Sequence, residues 1–181
     1  MGGFPREYTP GIQPGSFIGP FHPALGPVGD TFLAAGGGSS IVSSTGQNAN
    51  KCIFLPFSVF KPTTVKTIRF INGGTVTGNF DVGLYYEDGT QIVALGSTAQ
   101  AGVSSVQDGN ITDTLLQPGN YYTGMVIDAA ATYMCWNIAT ADICRMKGLQ
   151  VKMQTSTFPL PSPATFVEYD TTPITLLSLT I

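Results

Sequence analysis

Glycine and proline interrupt this chain so often that little room is left for a long helix. The 181 residues include 22 glycines and 13 prolines, and both residue types are costly inside helices. From residue 51 onwards, short apolar runs end at such residues at regular spacing, and about eight to ten strands are expected. The pattern predicts an all-β fold, an antiparallel β-sandwich, in which a short helix is expected only near residues 140–147.

Alternation of side chains supports the strands. In residues 79–86, Phe80, Val82, Leu84 and Tyr86 alternate with other residues, which predicts a half-buried strand. Pro56 is expected to stop the strand that begins at Cys52, because proline lacks the backbone N–H that a ladder needs. Residues 97–110 are small and polar, so a loop or a weak edge strand is expected there.

The first 50 residues differ from the rest. They hold 11 of the 22 glycines and 6 of the 13 prolines, but only three charged residues, Arg6, Glu7 and Asp30. Such dense prolines exclude a helix or a central strand. We therefore predict two parts: an extended, mostly irregular arm over residues 1–50, with a flexible joint at residues 36–40, and a β-sandwich domain over residues 51–181.

The predicted arm is apolar as well as irregular. A free linker would be more polar, whereas an apolar extended segment suits a groove on a protein surface. Two interpretations remain open: the arm folds back on its own domain, or it docks on a neighbouring subunit. The residues expected to contact such a partner are Phe4, Tyr8, Ile12, Phe17, Phe21, His22, Leu25 and Phe32.

Charge and cysteine content exclude several classes. The net charge is -3 with 8 Lys+Arg, which argues against nucleic-acid binding. No apolar run is long enough for a membrane helix, and no signal peptide is expected at the N-terminus. Three cysteines without a leader indicate reduced thiols made in a cytoplasm, although a Cys135–Cys144 disulfide remains an alternative.

The sequence predicts no catalytic residue, no cofactor and no metal site. His22 is the only histidine, so neither a histidine-based triad nor a multi-histidine metal site can be built, and a packing role is expected for it. Residues 108–113 resemble a calcium loop, but the glycine and the glutamate of an EF-hand are missing. An Asx-type turn is the better interpretation.

Paired tyrosines raise the alternative of a sugar-binding surface. Aromatic faces pack on pyranose rings, and alternation would turn one tyrosine of each pair outward. The candidate glycan-contacting residues are Tyr85, Tyr86, Tyr121 and Tyr122. Packing between sheets, together with ordinary surface tyrosines, is the competing interpretation.

Three motifs, taken in order, carry a resemblance. They are IFLPF at 53–57 followed by PTTVKTI at 62–68, then FDVGLYYEDG at 80–89, and LLQPGNYY at 115–122. The series resembles the jelly-roll-like β-sandwich modules of tailed bacteriophage virion proteins, which occur in fibres, tail tips and capsid decoration proteins. It covers roughly residues 51–137. The resemblance implies a non-enzymatic virion component, typically a homotrimer, and it brings no catalytic residues.

Together, arm and resemblance predict a capsid decoration (cement) protein that binds neighbouring capsid subunits through its N-terminal arm. Its partners would be the major capsid protein or other virion proteins, with no nucleic acid and no membrane, and its place would be the virion after synthesis in the host cytoplasm. The alternative is a tail fibre or receptor-binding module that recognises a host surface glycan. A cellular carbohydrate-binding module is a third, weaker hypothesis.

Overall fold

A computed structural model describes residues 41–44, 49–136, 151–155, 158–168, 174–175 and 177–180. These residues form thirteen strands and contain no helix. Every named ladder between them is antiparallel. The predicted all-β, antiparallel class is thereby confirmed for this part of the chain. The helix expected near residues 140–147 falls outside it, as do residues 1–40 of the predicted arm.

The strands form three sheets. The largest has the order β11-β10-β2-β8-β4-β5, with β6 also on β4, and two small sheets have the orders β13-β3-β7 and β1-β9-β12. In chain order the strands are β1 (Ile41–Ser44), β2 (Lys51–Val59), β3 (Thr63–Ile71), β4 (Asn79–Tyr86), β5 (Gln91–Ala94), β6 (Thr98–Ala99), β7 (Val106–Leu116), β8 (Gly119–Ile127), β9 (Tyr133–Trp136), β10 (Lys152–Thr155), β11 (Val167–Glu168), β12 (Ile174–Thr175) and β13 (Ser178–Thr180).

One long two-stranded ribbon links the large sheet to the β13-β3-β7 sheet. Strand β2 pairs with β8 up to Val59, which faces Gly119. Strand β3 then pairs with β7 starting from Thr63, which faces Leu116. The connection from β2 to β3 and the connection from β7 to β8 therefore pass between the two sheets at the same corner. The connecting residues include Pro62 and Pro118, and proline favours bends.

Pro56 does not stop a strand, and that prediction is wrong. It lies inside β2, where its register partner is Tyr122 of β8. On the other side of β2, the ladder with β10 pairs residues only as far as Phe54. Pro56 thus lies beyond the described part of that ladder, and an edge without a ladder tolerates a residue that lacks an N–H.

The main core lies between the inner faces of the large sheet and the β13-β3-β7 sheet. Large apolar side chains from β2, β3, β4 and β8 are buried there, and the cluster extends to β9. The ring of Phe70 packs edge-on against Phe80, with centroids 5.0 Å apart, and also against Tyr133 at 5.5 Å. Two sheets packed face to face in this way make the fold sandwich-like.

The large sheet is covered on both faces, so the predicted half-buried pattern of β4 is wrong. All residues of β4 from Phe80 to Tyr85 are buried. A second apolar cluster packs on the face away from the main core. Its cover is the proline-rich segment 158–166, here called the strap, whose Phe166 ring lies 4.8 Å from the ring centroids of both Phe54 and Tyr122.

Two further segments lie in strands. Residues 97–110 were expected in a loop or weak edge strand, and 106–110 begin the eleven-residue strand β7, which lies at the edge of its sheet among the described residues. Ile41–Ser44, assigned to the arm, form β1, which pairs with β9 over its full length. The described chain therefore joins the body from Ile41, and the arm prediction applies to the preceding residues.

Substitution of Gly124 tests the tight packing of the doubly covered sheet. A Cβ at Gly124 of β8 would lie 2.8 Å from Cε2 of Tyr85 and 3.1 Å from the ring of Phe54, so buried aromatic rings must shift. We expect Gly124→Ala to lower the free energy of unfolding by about 1–3 kcal/mol. Gly74→Ala is the control, since nothing lies within 4 Å of its Cβ. Urea unfolding of both variants measures the difference, and equal effects would contradict this packing.

Candidate functional site

Three of the four candidate tyrosines are buried. Tyr85 and Tyr122 belong to the cluster beneath the strap, and Tyr121 closes one end of the main core. Only Tyr86, which is 48% exposed, presents its ring to solvent. For residues 121 and 122 the expected alternation between inside and outside therefore does not occur, because β8 is a central strand with cover on both faces.

Tyr86 is the outer end of a row of aromatic rings. The row crosses three strands in register, since Phe57 of β2 and Tyr86 of β4 both face Tyr121 of β8. Ring centroids are 5.7 Å apart for Phe57 and Tyr121, and 5.9 Å apart for Tyr121 and Tyr86. The Tyr121 hydroxyl donates to the Gln117 carbonyl at 2.8 Å. This row stabilises the corner end of the sheet and offers a single exposed ring there.

Asp81 is a buried carboxylate that the sequence did not single out as a contact for the strap. Only 1% of it is exposed. One carboxylate oxygen accepts a hydrogen bond from the Gly96 N–H at 2.8 Å, and the other accepts from the Leu160 N–H at 3.0 Å. Burial raises the pKa of Asp81, and backbone hydrogen bonds oppose that rise. Asp81 thereby joins β4 to the strap and to the turn after β5.

Further hydrogen bonds hold the strap in place. The Tyr85 hydroxyl donates to the Pro161 carbonyl at 2.8 Å and accepts from the Gln91 side chain at 2.9 Å. The Ala164 N–H donates to the Gly89 carbonyl at 2.9 Å. Gly89 has φ of 88°, and a Cβ there would collide with the Ala164 carbonyl. The strap is therefore fastened to the hairpin at residues 87–90 as well as to the sheet.

Both described cysteines are buried thiols. Desolvation, helped by the nearby charge of Asp81, raises the pKa of Cys52 to about 12, so Cys52 stays protonated at neutral pH and is a poor nucleophile. The thiol of Cys135 lies 3.5 Å from the Tyr133 carbonyl. Cys144, the other half of the alternative disulfide, lies outside the described residues, and so does His22.

The calcium-like segment is a strand, and the predicted Asx-type turn at residues 108–113 is wrong. These residues lie within β7, where 108–110 pair with β3 and 111–113 form a bulge. Asp108 accepts a hydrogen bond from Arg69 Nε at 2.6 Å, and the Asn110 side chain accepts from the Thr67 hydroxyl at 3.0 Å. Within the described ranges, no group of three or more His, Cys, Asp and Glu residues could hold a metal ion.

No protein-family model, no curated protein and no solved structure matches this chain. In the part of the chain that the structure describes, no helix has the length and apolarity to cross a membrane.

The raised pKa of Asp81 predicts a dependence of stability on pH. Between the pKa of Asp81 in the unfolded chain and its higher value in the folded protein, the folded state binds more protons, so stability falls as pH rises. We expect the stability advantage of the native protein over Asp81→Asn to shrink as pH rises through this window. Urea unfolding at a series of pH values measures it. Asp113→Asn, at an exposed position, is the control, and an advantage that grows with pH would refute this role.

Proposed function

We propose that this protein is a non-enzymatic structural component of a tailed-phage virion, namely a capsid decoration protein. In this proposal, its folded body sits on the particle surface and its N-terminal arm binds neighbouring subunits. The major capsid protein or another virion protein is the partner, and the chain assembles as a homotrimer. The proposal requires no catalytic residue and no cofactor.

The observation that carries the proposal is that the three motifs of the resemblance meet in space. The Pro62 corner of the first motif lies beside the Pro118 turn of the third, because Val59 faces Gly119 and Thr63 faces Leu116. Strand β4 of the second motif pairs with β8 along seven positions. The motifs therefore describe one packed unit, which supports a resemblance at the level of the module.

The route of the ribbon supports the finer, jelly-roll interpretation of the fold. In a jelly roll, a long pair of strands folds across two facing sheets in Greek-key fashion. Strands β2 and β3 wrap around β8 and β7 in this manner, while β4 lies on the far side of β8. Jelly rolls are frequent among viral capsid proteins, so the topology agrees with a place on a particle.

The contrast in composition supports a role for the arm. Residues 1–40 contain three charged residues and a series of apolar side chains. Burying apolar surface contributes about 25 cal/mol per Å², and an extended segment presents much of its surface to a partner. An arm of this composition gains stability when another surface covers it.

Removal of residues 1–35 tests the arm directly. The truncated chain keeps β1 and every later strand, so we expect an unchanged β-type circular dichroism spectrum and cooperative melting. We also expect loss of binding to purified capsids from which the protein has been stripped, measured by co-sedimentation with the full chain as the positive control. A truncated protein that folds and decorates capsids as the full chain does would contradict the proposal.

The fibre alternative now depends on Tyr86, since the other three tyrosines are buried. If the protein recognises a host glycan through these aromatics, Tyr86→Ala should abolish binding on a glycan array, whereas Phe60→Ala, at another exposed aromatic residue, should not. Our proposal predicts no specific glycan signal for the native protein. Selective loss of a strong signal in Tyr86→Ala would favour the alternative.

A further inference from the structure

Among the described residues, strand β7 pairs with β3 along one edge and with no strand along the other. Its eleven residues include a bulge at residues 111–113, because the register with β3 shifts between Val65 and Thr67, whereas the ladder is regular from Val106 to Asn110. The open edge of this regular stretch presents backbone N–H and C=O groups that a further strand can bind.

Exposed apolar side chains lie along the same strand. Among the described residues, six large hydrophobic residues are exposed, and three of them belong to β7 or to the loop before it: Val103, Val106 and Leu115, at 62%, 59% and 59%. Single exposed hydrophobic residues are ordinary. Their occurrence at both ends of an open edge favours an apolar extended partner.

The loop that carries Val103 is held in place by the body. The Asn72 side chain is buried and donates to the carbonyls of Ala101 and Gly102, at 2.8 and 3.0 Å. The Ser104 N–H donates to the Gly73 carbonyl at 2.9 Å. The surface around β7 is therefore formed in advance, which lowers the entropic cost of binding.

Charge argues against β7 pairing with itself in a second copy. An antiparallel pair of the regular stretch 106–110, centred on its middle residue, places the Asp108 side chains of the two copies opposite each other. Like charges directly opposite destabilise a ladder. A suitable occupant is a segment that is apolar and nearly uncharged, and the first 40 residues of this chain have that composition.

Proline narrows the choice within those residues. A strand that joins an edge must donate backbone N–H groups, which proline lacks. The last proline of the first 40 residues is Pro27, so residues 28–40 are their longest proline-free run. The first part of that run, residues 28–35, contains Val28, Thr31 and Phe32, which are favoured in strands, and also Gly29 and the one charged residue Asp30, which are not.

We infer that residues 28–35 of one copy add as a strand to the open edge of β7 in a second copy. The inference rests on the proposed function insofar as the arm is an assembly segment, and it names the partner of this part of the arm. Residues 1–27 remain for other virion subunits. An arm-to-edge contact joins two different surfaces, so it can close into a ring such as the predicted trimer.

Disulfide trapping between two differently tagged full-length copies tests the inference, with Cys144→Ser in both. One copy carries Thr31→Cys, and the other carries Val103→Cys, Val106→Cys or Leu115→Cys. We expect a disulfide-linked heterodimer for at least one of the three β7 positions. Lys66→Cys is the control, because Lys66 is exposed on β3, away from the open edge, and it should give none.

The outcomes separate the possible occupants. Absence of heterodimer at all three positions, in copies whose melting is native, overturns the inference. A disulfide that joins β7 to β7 also overturns it. So does a disulfide that forms only within one chain, in a further variant that carries Thr31→Cys and the β7 cysteine together. Because no capsid is present, trapping can succeed where particle binding fails, so the failure of the inference and of the proposed function can be told apart.

Discussion

The pairing of β2 and β3 with β8 and β7 is the constraint on which the rest of the fold depends. The ribbon passes through the corner where Val59 faces Gly119 and Thr63 faces Leu116. It thereby brings the large sheet and the β13-β3-β7 sheet face to face. Their inner side chains then form one core, to which β4 adds Phe80, Val82 and Leu84. The position of each other sheet residue follows from this register, because a slip by one residue would turn every side chain to the opposite face.

The large sheet also has an outer face that must be covered. Its central strands are apolar on both faces, and the strap covers the face that the other sheet does not reach. Asp81 belongs to this cover: its cost of burial is offset by hydrogen bonds from two backbone N–H groups, as a buried charge requires. With three of the four candidate tyrosines buried, two of them under this cover, the exposed large hydrophobic residues include Val106 and Leu115 of β7 among those described.

Much of the fold could be predicted from local patterns, and what was missed depends on contacts between distant residues. The strand type was predictable from proline, glycine and alternation. Alternation could not reveal that the strap covers Tyr85 and Tyr122, since that contact joins residues about 40 to 80 positions apart. Likewise, the place of Pro56 inside β2 depends on a distant strand, because the described ladder with β10 reaches only Phe54. The isolated Asp81 in an apolar strand was the one local signal of the strap.

The proposed function requires a body, built on the ribbon, and an arm that another subunit stabilises. Electron cryo-microscopy of the native assembly tests this division most directly. We predict that the map shows the sandwich-like body on the outside of a shell, with density for residues 1–40 crossing onto neighbouring subunits. Density for those residues folded against the body of their own chain, or a body placed at the tip of a fibre, would contradict the account.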